Sequence, residues 1–309
     1  MLQTLTGFVV VGVAIALGYV LGRIDLLGPH ARHVLSRLTF FVLSPFLLFV
    51  VLAQADVHTL FSALLPVSAI AAVAVLTVHA LVARLLWRRD AGETLIGALA
   101  AGQVNSNNIG IPLSLYLLGS AAYPAPVILM QLLAFTPISM AIFETVTADQ
   151  PGARRAIPIL RRTVTNPVVV GSVLGVLVSI SGTTLPAVVL DPVQLIADAC
   201  VPILLISYGI SLHGQRVLAP SGRRRDVLLA SALKLFVMPF LAWAVARFLF
   251  QLSDQDTLVV TVLAALPTAQ NVFNYAQRYD LGETIARDTV FLTTLGCVPV
   301  LMAITVLLT

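Results

Sequence analysis

The fold of this chain is decided by one stretch of sequence, Gly102-Gln103-Val104-Asn105-Ser106-Asn107-Asn108-Ile109-Gly110-Ile111-Pro112, which interrupts an apolar segment. A second apolar segment is interrupted by Leu266-Pro267-Thr268-Ala269-Gln270-Asn271-Val272-Phe273-Asn274-Tyr275. Asn and Ser hydrogen-bond to their own backbone, and proline lacks an N–H, so these residues are unfavourable inside a helix. The two stretches therefore predict two broken helices.

The composition of the 309-residue chain indicates a membrane protein. Apolar residues make up 59% and charged residues only 10%, whereas an ordinary soluble domain carries about 25% charged residues. The net charge of +4 gives no reason to expect a nucleic-acid partner. Crossing ~30 Å of hydrocarbon takes about 20 apolar residues in a helix. Ten segments meet this requirement: 4–22, 34–53, 60–85, 94–118, 124–147, 166–183, 191–212, 227–250, 256–279 and 284–308.

Basic residues follow every second segment. Of the 18 Lys and Arg residues, only Lys234 and Arg247 lie elsewhere. Cytoplasmic loops of membrane proteins carry the excess of Lys and Arg. The pattern predicts a multi-pass protein of the cell inner (plasma) membrane with both termini outside, on the periplasmic side.

The two halves of the sequence resemble each other in colinear order. Five helices per half, an odd number, require the second copy to insert upside down, as in many secondary transporters. The sequence thus predicts an all-α polytopic protein with a first repeat over 1–147, a cytoplasmic connection over 148–165 and an inverted second repeat over 166–309. The matched features are Val9–Gly12 with Val168–Gly171, Ser44–Leu48 with Val201–Leu205, Pro66 with Pro239, Asn108 with Asn271, and Pro137 with Pro299.

The two broken helices indicate a binding site for an anion. Irregular backbone at membrane depth is tolerated only inside protein or beside water, and matched interruptions in both halves indicate a transport site. Half-helix N-termini carry partial positive charge, which favours an anion. Alternatively, the amides join helices and the prolines form kinks. The candidate residues at the two interruptions are Asn105, Asn107, Asn108, Pro112, Pro267, Gln270, Asn271 and Asn274.

Two charged residues lie within the apolar segments. Lys234 is the only lysine of the chain; it either attracts the anion or neutralises a carboxylate, or else extends to the membrane interface. Asp198 is either a proton carrier or a water-exposed residue near the outer end of its helix. Both remain candidates for ion coupling.

An ordered set of motifs resembles the auxin efflux carrier (AEC) family of the bile acid/auxin transporter-like superfamily. The resemblance implies a sodium/proton-antiporter-like fold, with scaffold helices 1, 2, 6 and 7 that dimerise and transport helices 3–5 and 8–10 that move by an elevator mechanism. It also implies that Ser44, in the Ser44–Leu48 stretch, and Gln131 line the pocket with Asn108. The motifs are Gly110-Ile111-Pro112, Pro267 to Asn271 followed by Ala276-Gln277-Arg278-Tyr279, Thr165-Asn166-Pro167, Ser207-Tyr208-Gly209-Ile210-Ser211-Leu212, and Lys234-Leu235 with Pro239.

The expected function is secondary transport of a small organic anion such as a carboxylate, with efflux by elevator-type alternating access. The chain lacks a phosphate-binding Gly-x-x-x-x-Gly-Lys-[Ser/Thr] motif, so the membrane potential or a proton gradient is the expected driving force. A sodium-coupled bile-acid-type symporter and an anion channel are the alternatives. Neither His-Glu-x-x-His nor Gly-x-Ser-x-Gly occurs, and Cys200 and Cys297 lack metal-ligand spacing, so no enzyme, cofactor or metal is expected. The expected partners are the anion, the bilayer and a second copy of the chain.

Overall fold

The structure is a computed structural model that describes residues 2–28, 30–54, 63–147, 165–183, 185–213 and 221–308. The predicted cytoplasmic connection, 148–165, lies outside these ranges except for Thr165. Within them the chain is helical, and its one β-bridge is isolated. The prediction of an all-α protein is therefore confirmed for the described residues.

The helices follow the ten apolar segments closely. Several contain a π-helical turn, and we treat such a turn as part of the helix in which it lies. The helices are α1 (Leu2–Arg23), α2 (31–53), α3 (Leu64–Leu86), α4a (Ala91–Gly102), α4b (106–118), α5 (125–147), α6 (Pro167–Ser181), α7 (187–212), α8 (Arg224–Leu249), α9a (Asp254–Ala265), α9b (Gln270–Tyr279) and α10 (Glu283–Leu308).

Six described helices are long and apolar enough to cross a membrane, judged by length and composition. These belong to α2, α3, α5, α7, α8 and α10, while α6 and part of α1 form shorter apolar helices. Helices α4a and α9a have 12 residues each, which corresponds to about 18 Å and falls short of the ~30 Å hydrocarbon core. The ten-span topology and the position of the termini remain predictions.

The chain divides into two compact units. Unit 1 contains residues 1–62, 107–133 and 160–215, and unit 2 contains residues 63–106, 134–159 and 216–309. In the sequence, one division falls within the fourth apolar segment, directly after Ser106. Another falls within the π-helical turn of α5, Gln131–Phe135.

Unit 1 contains two pairs of helices whose backbones touch. Cβ atoms added to Gly18 of α1 and Gly209 of α7 would lie well under 3.0 Å from the carbonyl oxygens of Ile206 and Ile15. Gly171 of α6 is equally close to the backbone of Pro45 in α2. Glycine lacks a Cβ and therefore permits this approach, as small residues do between membrane helices. Gly18 of α1 and Gly171 of α6 are thus used for packing within the chain.

Unit 2 contains the same helix–turn–helix corner twice. Val82-Ala83-Arg84-Leu85-Leu86-Trp87 and Val245-Ala246-Arg247-Phe248-Leu249-Phe250 are offset by 163 residues, and each begins with a π-helical turn. Arg89 N–H donates to Ala83 O at 2.9 Å, and Leu252 N–H donates to Ala246 O at 3.0 Å. The residue directly before each of these donors has a positive φ, which is 52° at Arg88 and 49° at Gln251.

The matching corners also fix the register of the repeat. Asp90 caps α4a and Ser253 caps α9a, each accepting a backbone N–H three residues on. Helices α3 and α8 run without interruption into their corners, so the offset of 163 pairs Pro66 with Leu229. The predicted match of Pro66 with Pro239 is therefore wrong, because it requires an insertion inside a continuous helix.

The corners differ in charge. Arg89 makes two hydrogen bonds to Asp226, at 3.1 and 2.6 Å, and the Asp226 side chain is 1% exposed. These bonds raise the pKa of Arg89 above its usual value. Arg223 pairs with Glu93 nearby in the same unit. At the second corner, Arg247 contacts Asp254, whose side chain is 90% exposed. Only the first corner therefore contains a buried ion pair.

Candidate functional site

The two interruptions meet within unit 2. Helix α4a ends at Gly102 and α9a at Ala265, and the chain is extended at Gln103 and Leu266. Val104 and Thr268 form an antiparallel bridge. Asn105 N–H donates to Pro267 O at 2.8 Å, and Ala269 N–H donates to Gln103 O at 3.1 Å. The broken backbones thus satisfy part of each other's hydrogen-bonding capacity away from water.

Two threonines stabilise the place where residues 103–105 meet residues 267–269, which we call the crossing. The Thr268 hydroxyl donates to Ala100 O at 2.6 Å, at the point where α4a runs out of backbone N–H donors. The Thr268 N–H donates to the hydroxyl of Thr293 in α10 at 3.1 Å, and that hydroxyl donates to Thr289 O at 2.7 Å. Thr268, Thr289 and Thr293 are completely buried. A continuous chain of hydrogen bonds therefore connects α10, the second interruption and the end of α4a.

Lys234, a residue of α8, contacts the C-terminal end of α9a. Its side chain is completely buried, and Nζ donates to Ala264 O at 2.9 Å and lies 3.0 Å from Met238 Sδ. The last carbonyls of a helix lack intrahelical donors and carry partial negative charge. The Lys234 amino group is thus a C-terminal cap for α9a. This position differs from an extension to the membrane interface, one of the two interpretations of the sequence.

Helix α9b presents amide side chains. Its N-cap residue, Ala269, makes no side-chain capping bond. Gln270 is half-buried, whereas Asn271 and Asn274 are exposed. Asn105 and Pro267, at the crossing itself, are buried. Unit 2 therefore brings Asn105, Pro267 and Gln270 to one place in the fold, and Asn271 and Asn274 continue along α9b from it.

Unit 1 contains a second polar cluster. Ser44 is fully buried in α2, and its Oγ lies 3.8 Å from Cys200 Sγ in α7. Asn107 Nδ2 donates to Ser44 Oγ and to Asn108 Oδ1, both at 3.1 Å. Asn107 and Asn108 lie in the π-helical turn at the start of α4b and are half-buried. The structure thus brings three of the predicted site residues together here.

Three other predicted site residues belong to unit 1. Pro112 is buried in α4b, and Gln131 is half-buried at the start of the π-helical turn of α5. Asp198 is exposed at the end of the first part of α7, and its carboxylate accepts a hydrogen bond from Gln194 at 2.6 Å. Among the described residues, no three His, Cys, Asp or Glu side chains form a group able to hold a metal ion.

Several residues that shape the crossing are missing from the sequence prediction. Thr268, Thr293 and the carbonyl acceptors at Ala100 and Ala264 carry no local signal, since threonine is common in apolar helices. The repeated Val-Ala-Arg motif was a detectable signal, because its offset of 163 residues equals that between Asn108 and Asn271. Extending this register would have aligned both corners and both interruptions.

Comparison with known proteins identifies the family. The chain matches the family described as "Membrane transport protein" over residues 4–156 and 153–305. No curated protein matches it. The family match confirms the resemblance to auxin efflux carriers. With its several apolar helices, the chain is a multi-pass membrane protein. It belongs to the auxin efflux carrier/membrane transport protein family.

Proposed function

We propose that this protein is a secondary transporter of a small organic anion, such as a carboxylate, and that the membrane potential or a proton gradient drives it. The observation that carries the proposal is the meeting of two interrupted helices at Val104 and Thr268. Interrupted helices in both halves of a transporter supply substrate contacts through half-helix ends. An elevator-type movement, with efflux as its direction, extends the same proposal.

The chemistry of the crossing favours an anion over a cation. The two interruptions, 102–112 and 266–275, contain amides and hydroxyls but no Asp or Glu. Amide N–H groups donate to a carboxylate without placing a full charge inside the membrane. Helix α9b begins without a capping side chain, so its first N–H groups and its partial positive charge are suited to the same ligand.

Lys234 places a titratable amino group beside the crossing. This completely buried group donates to a C-terminal carbonyl of α9a, at a partially negative helix end that favours a cation. We infer that Lys234 in its protonated form lowers the cost of bringing an anion to the crossing. Coupling to sodium, the alternative considered for this fold, is decided by experiment.

The test begins with purified protein and a panel of acids: benzoate, indole-3-acetate, succinate and several amino acids. We expect one or more carboxylates to raise the melting temperature, and the same acids to be taken up by proteoliposomes that contain the protein. Uptake should saturate, show counter-exchange and respond to an imposed membrane potential. Uptake without saturation or counter-exchange would indicate a channel. Loss of uptake when choline replaces sodium would indicate a sodium symporter.

Site assignment is tested with Asn108→Ala and Asn271→Ala, which we expect to lower affinity for the active acid at least tenfold. Asn166→Ala is the matched control, because this asparagine caps α6 by accepting Val168 N–H at 2.9 Å. Loss of a helix cap costs about 1 kcal/mol of stability but leaves the amides of α4b and α9b intact. Wild-type affinity in both test variants would refute the site.

A further inference from the structure

One amide group of unit 1 has both of its N–H donors in use. Asn107 Nδ2 donates to Ser44 Oγ and to Asn108 Oδ1, each at 3.1 Å. A side-chain amide carries two N–H bonds, so these two contacts occupy both. Asn107 is a predicted ligand for the anion, yet in this arrangement both N–H groups of its side chain are already used.

The partners of Asn107 differ in how firmly they are held. Ser44 is 0% exposed, and the backbone of the next residue, Pro45, is in close contact with Gly171 of α6. Asn107 is half-buried at the start of α4b. Its Oδ1 atom is buried and has no hydrogen-bond partner among the described residues. The cluster thus joins a fixed hydroxyl to an amide whose hydrogen bonding is incomplete.

We propose that the Ser44–Asn107 hydrogen bond is a latch that the substrate opens by displacement. The proposal rests on the function proposed above. In the absence of substrate, Ser44 accepts a hydrogen bond from Asn107, and a bound carboxylate accepts it instead. Substrate binding and the release of α4b from α2 are therefore one event. Ser44 therefore competes with the substrate and is not one of its ligands.

The exchange selects for charge. Hydrogen bonds to an ionised acceptor are about twice as strong as those between neutral groups. A carboxylate therefore displaces the Ser44 hydroxyl, whereas the carbonyl of a neutral amide exchanges one neutral bond for another. Each acid should consequently open the latch better than its own amide, for example indole-3-acetate better than indole-3-acetamide, and benzoate better than benzamide.

The decisive variant is Ser44→Ala, because a latch and a direct contact with the substrate predict opposite changes in affinity. Removing the competing hydroxyl should raise affinity for the active acid about fivefold, which at 1.4 kcal/mol per tenfold corresponds to about 1 kcal/mol. If Ser44 binds the substrate, affinity falls instead and the proposal is overturned. Ser172→Ala is the control, since its buried hydroxyl donates only to Val168 O of its own helix, and it should leave affinity unchanged.

A second measurement needs no ligand. Ser44→Ala and Asn107→Ala should each lower the apparent melting temperature, and the double variant should fall little further, because the bond is already lost in either single variant. Additive effects would mean that no such bond exists, which overturns the latch whatever the substrate. If the wild-type protein binds no acid of the panel, the proposed function fails and displacement with it. The melting temperatures of the single and double variants without ligand then still report on the hydrogen bond alone.

Discussion

Replacing Thr268 by valine removes one hydroxyl from the centre of the crossing without changing the volume of the side chain much. Thr268 is 0% exposed and donates to Ala100 O at 2.6 Å. The chain leaves the helix at Gln103, so the Ala100 carbonyl lies in the last turn of α4a, where backbone donors are lacking. Valine leaves this carbonyl without the Thr268 hydrogen, inside the protein.

The expected loss follows from these contacts. A buried polar group deprived of its partner costs about 1–3 kcal/mol, while hydrogen bonds between membrane helices average about 0.6 kcal/mol. We expect Thr268→Val to destabilise the protein by about 1–2 kcal/mol. The matched control is Thr261→Val in α9a. Thr261 is also buried, but its hydroxyl donates at 2.6 Å to Thr257 O, a carbonyl that the helix itself already supplies with an N–H. We expect about 0.5 kcal/mol or less there.

Two assays test this difference. Denaturant or thermal unfolding of the purified variants gives the loss of stability. Hydrogen exchange reports on position, because Asn105 N–H and Ala269 N–H are bonded across the crossing and should exchange faster in Thr268→Val only. Equal stability and equal exchange in the two variants would show that the Thr268 hydroxyl does not support the crossing.

Three further predictions use pairs of sites that differ in one respect. Gly209→Ala should destabilise the protein by about 3 kcal/mol or abolish folding, because its Cβ meets the Ile15 carbonyl; Gly12→Ala, with nothing within 4 Å, should be nearly neutral in thermal unfolding. Asp226→Asn should cost about 2–4 kcal/mol because it leaves the partly buried Arg89 without its anion, whereas Asp254→Asn at the exposed corner should cost less than about 0.5 kcal/mol; equal losses would contradict the role of burial. Lys234→Met should destabilise the protein by about 1–2 kcal/mol, since the buried Ala264 carbonyl loses its Lys234 donor, and should lower anion affinity at least tenfold; unchanged affinity would remove Lys234 from the site.

The sequence predicts the helices and their interruptions because both are local properties. Hydropathy gives the ten segments, and the helical ranges of the structure follow them. Proline at 267 and the run of asparagines from 105 lower the local helix propensity, although Asn107 and Asn108 lie in the π-helical turn that opens α4b. The structure accordingly has extended chain at Gln103 and Leu266.

The supports of the crossing escaped prediction because they join residues that are distant in the sequence. Thr268 and Ala100 are 168 residues apart, and Arg89 and Asp226 are 137 apart. A backbone carbonyl such as that of Ala264 has no sequence signature at all, so Lys234 suggested a charged partner or the membrane interface. The pairing of Pro66 with Pro239 failed for another reason. Two prolines in apolar helices resemble each other in residue type only, whereas the two corners share both a motif and a backbone conformation.

The two corners at 82–90 and 245–253 have the same backbone shape but different ion pairs. In the first corner an arginine pairs with a buried carboxylate, and in the second both charged side chains are exposed. The bend is therefore compatible with two different sets of side chains in one chain. Its shape is set by the main chain, because a residue with positive φ and one backbone hydrogen bond are common to both corners. The charges at a corner can consequently differ without a change in the path of the helices that it joins.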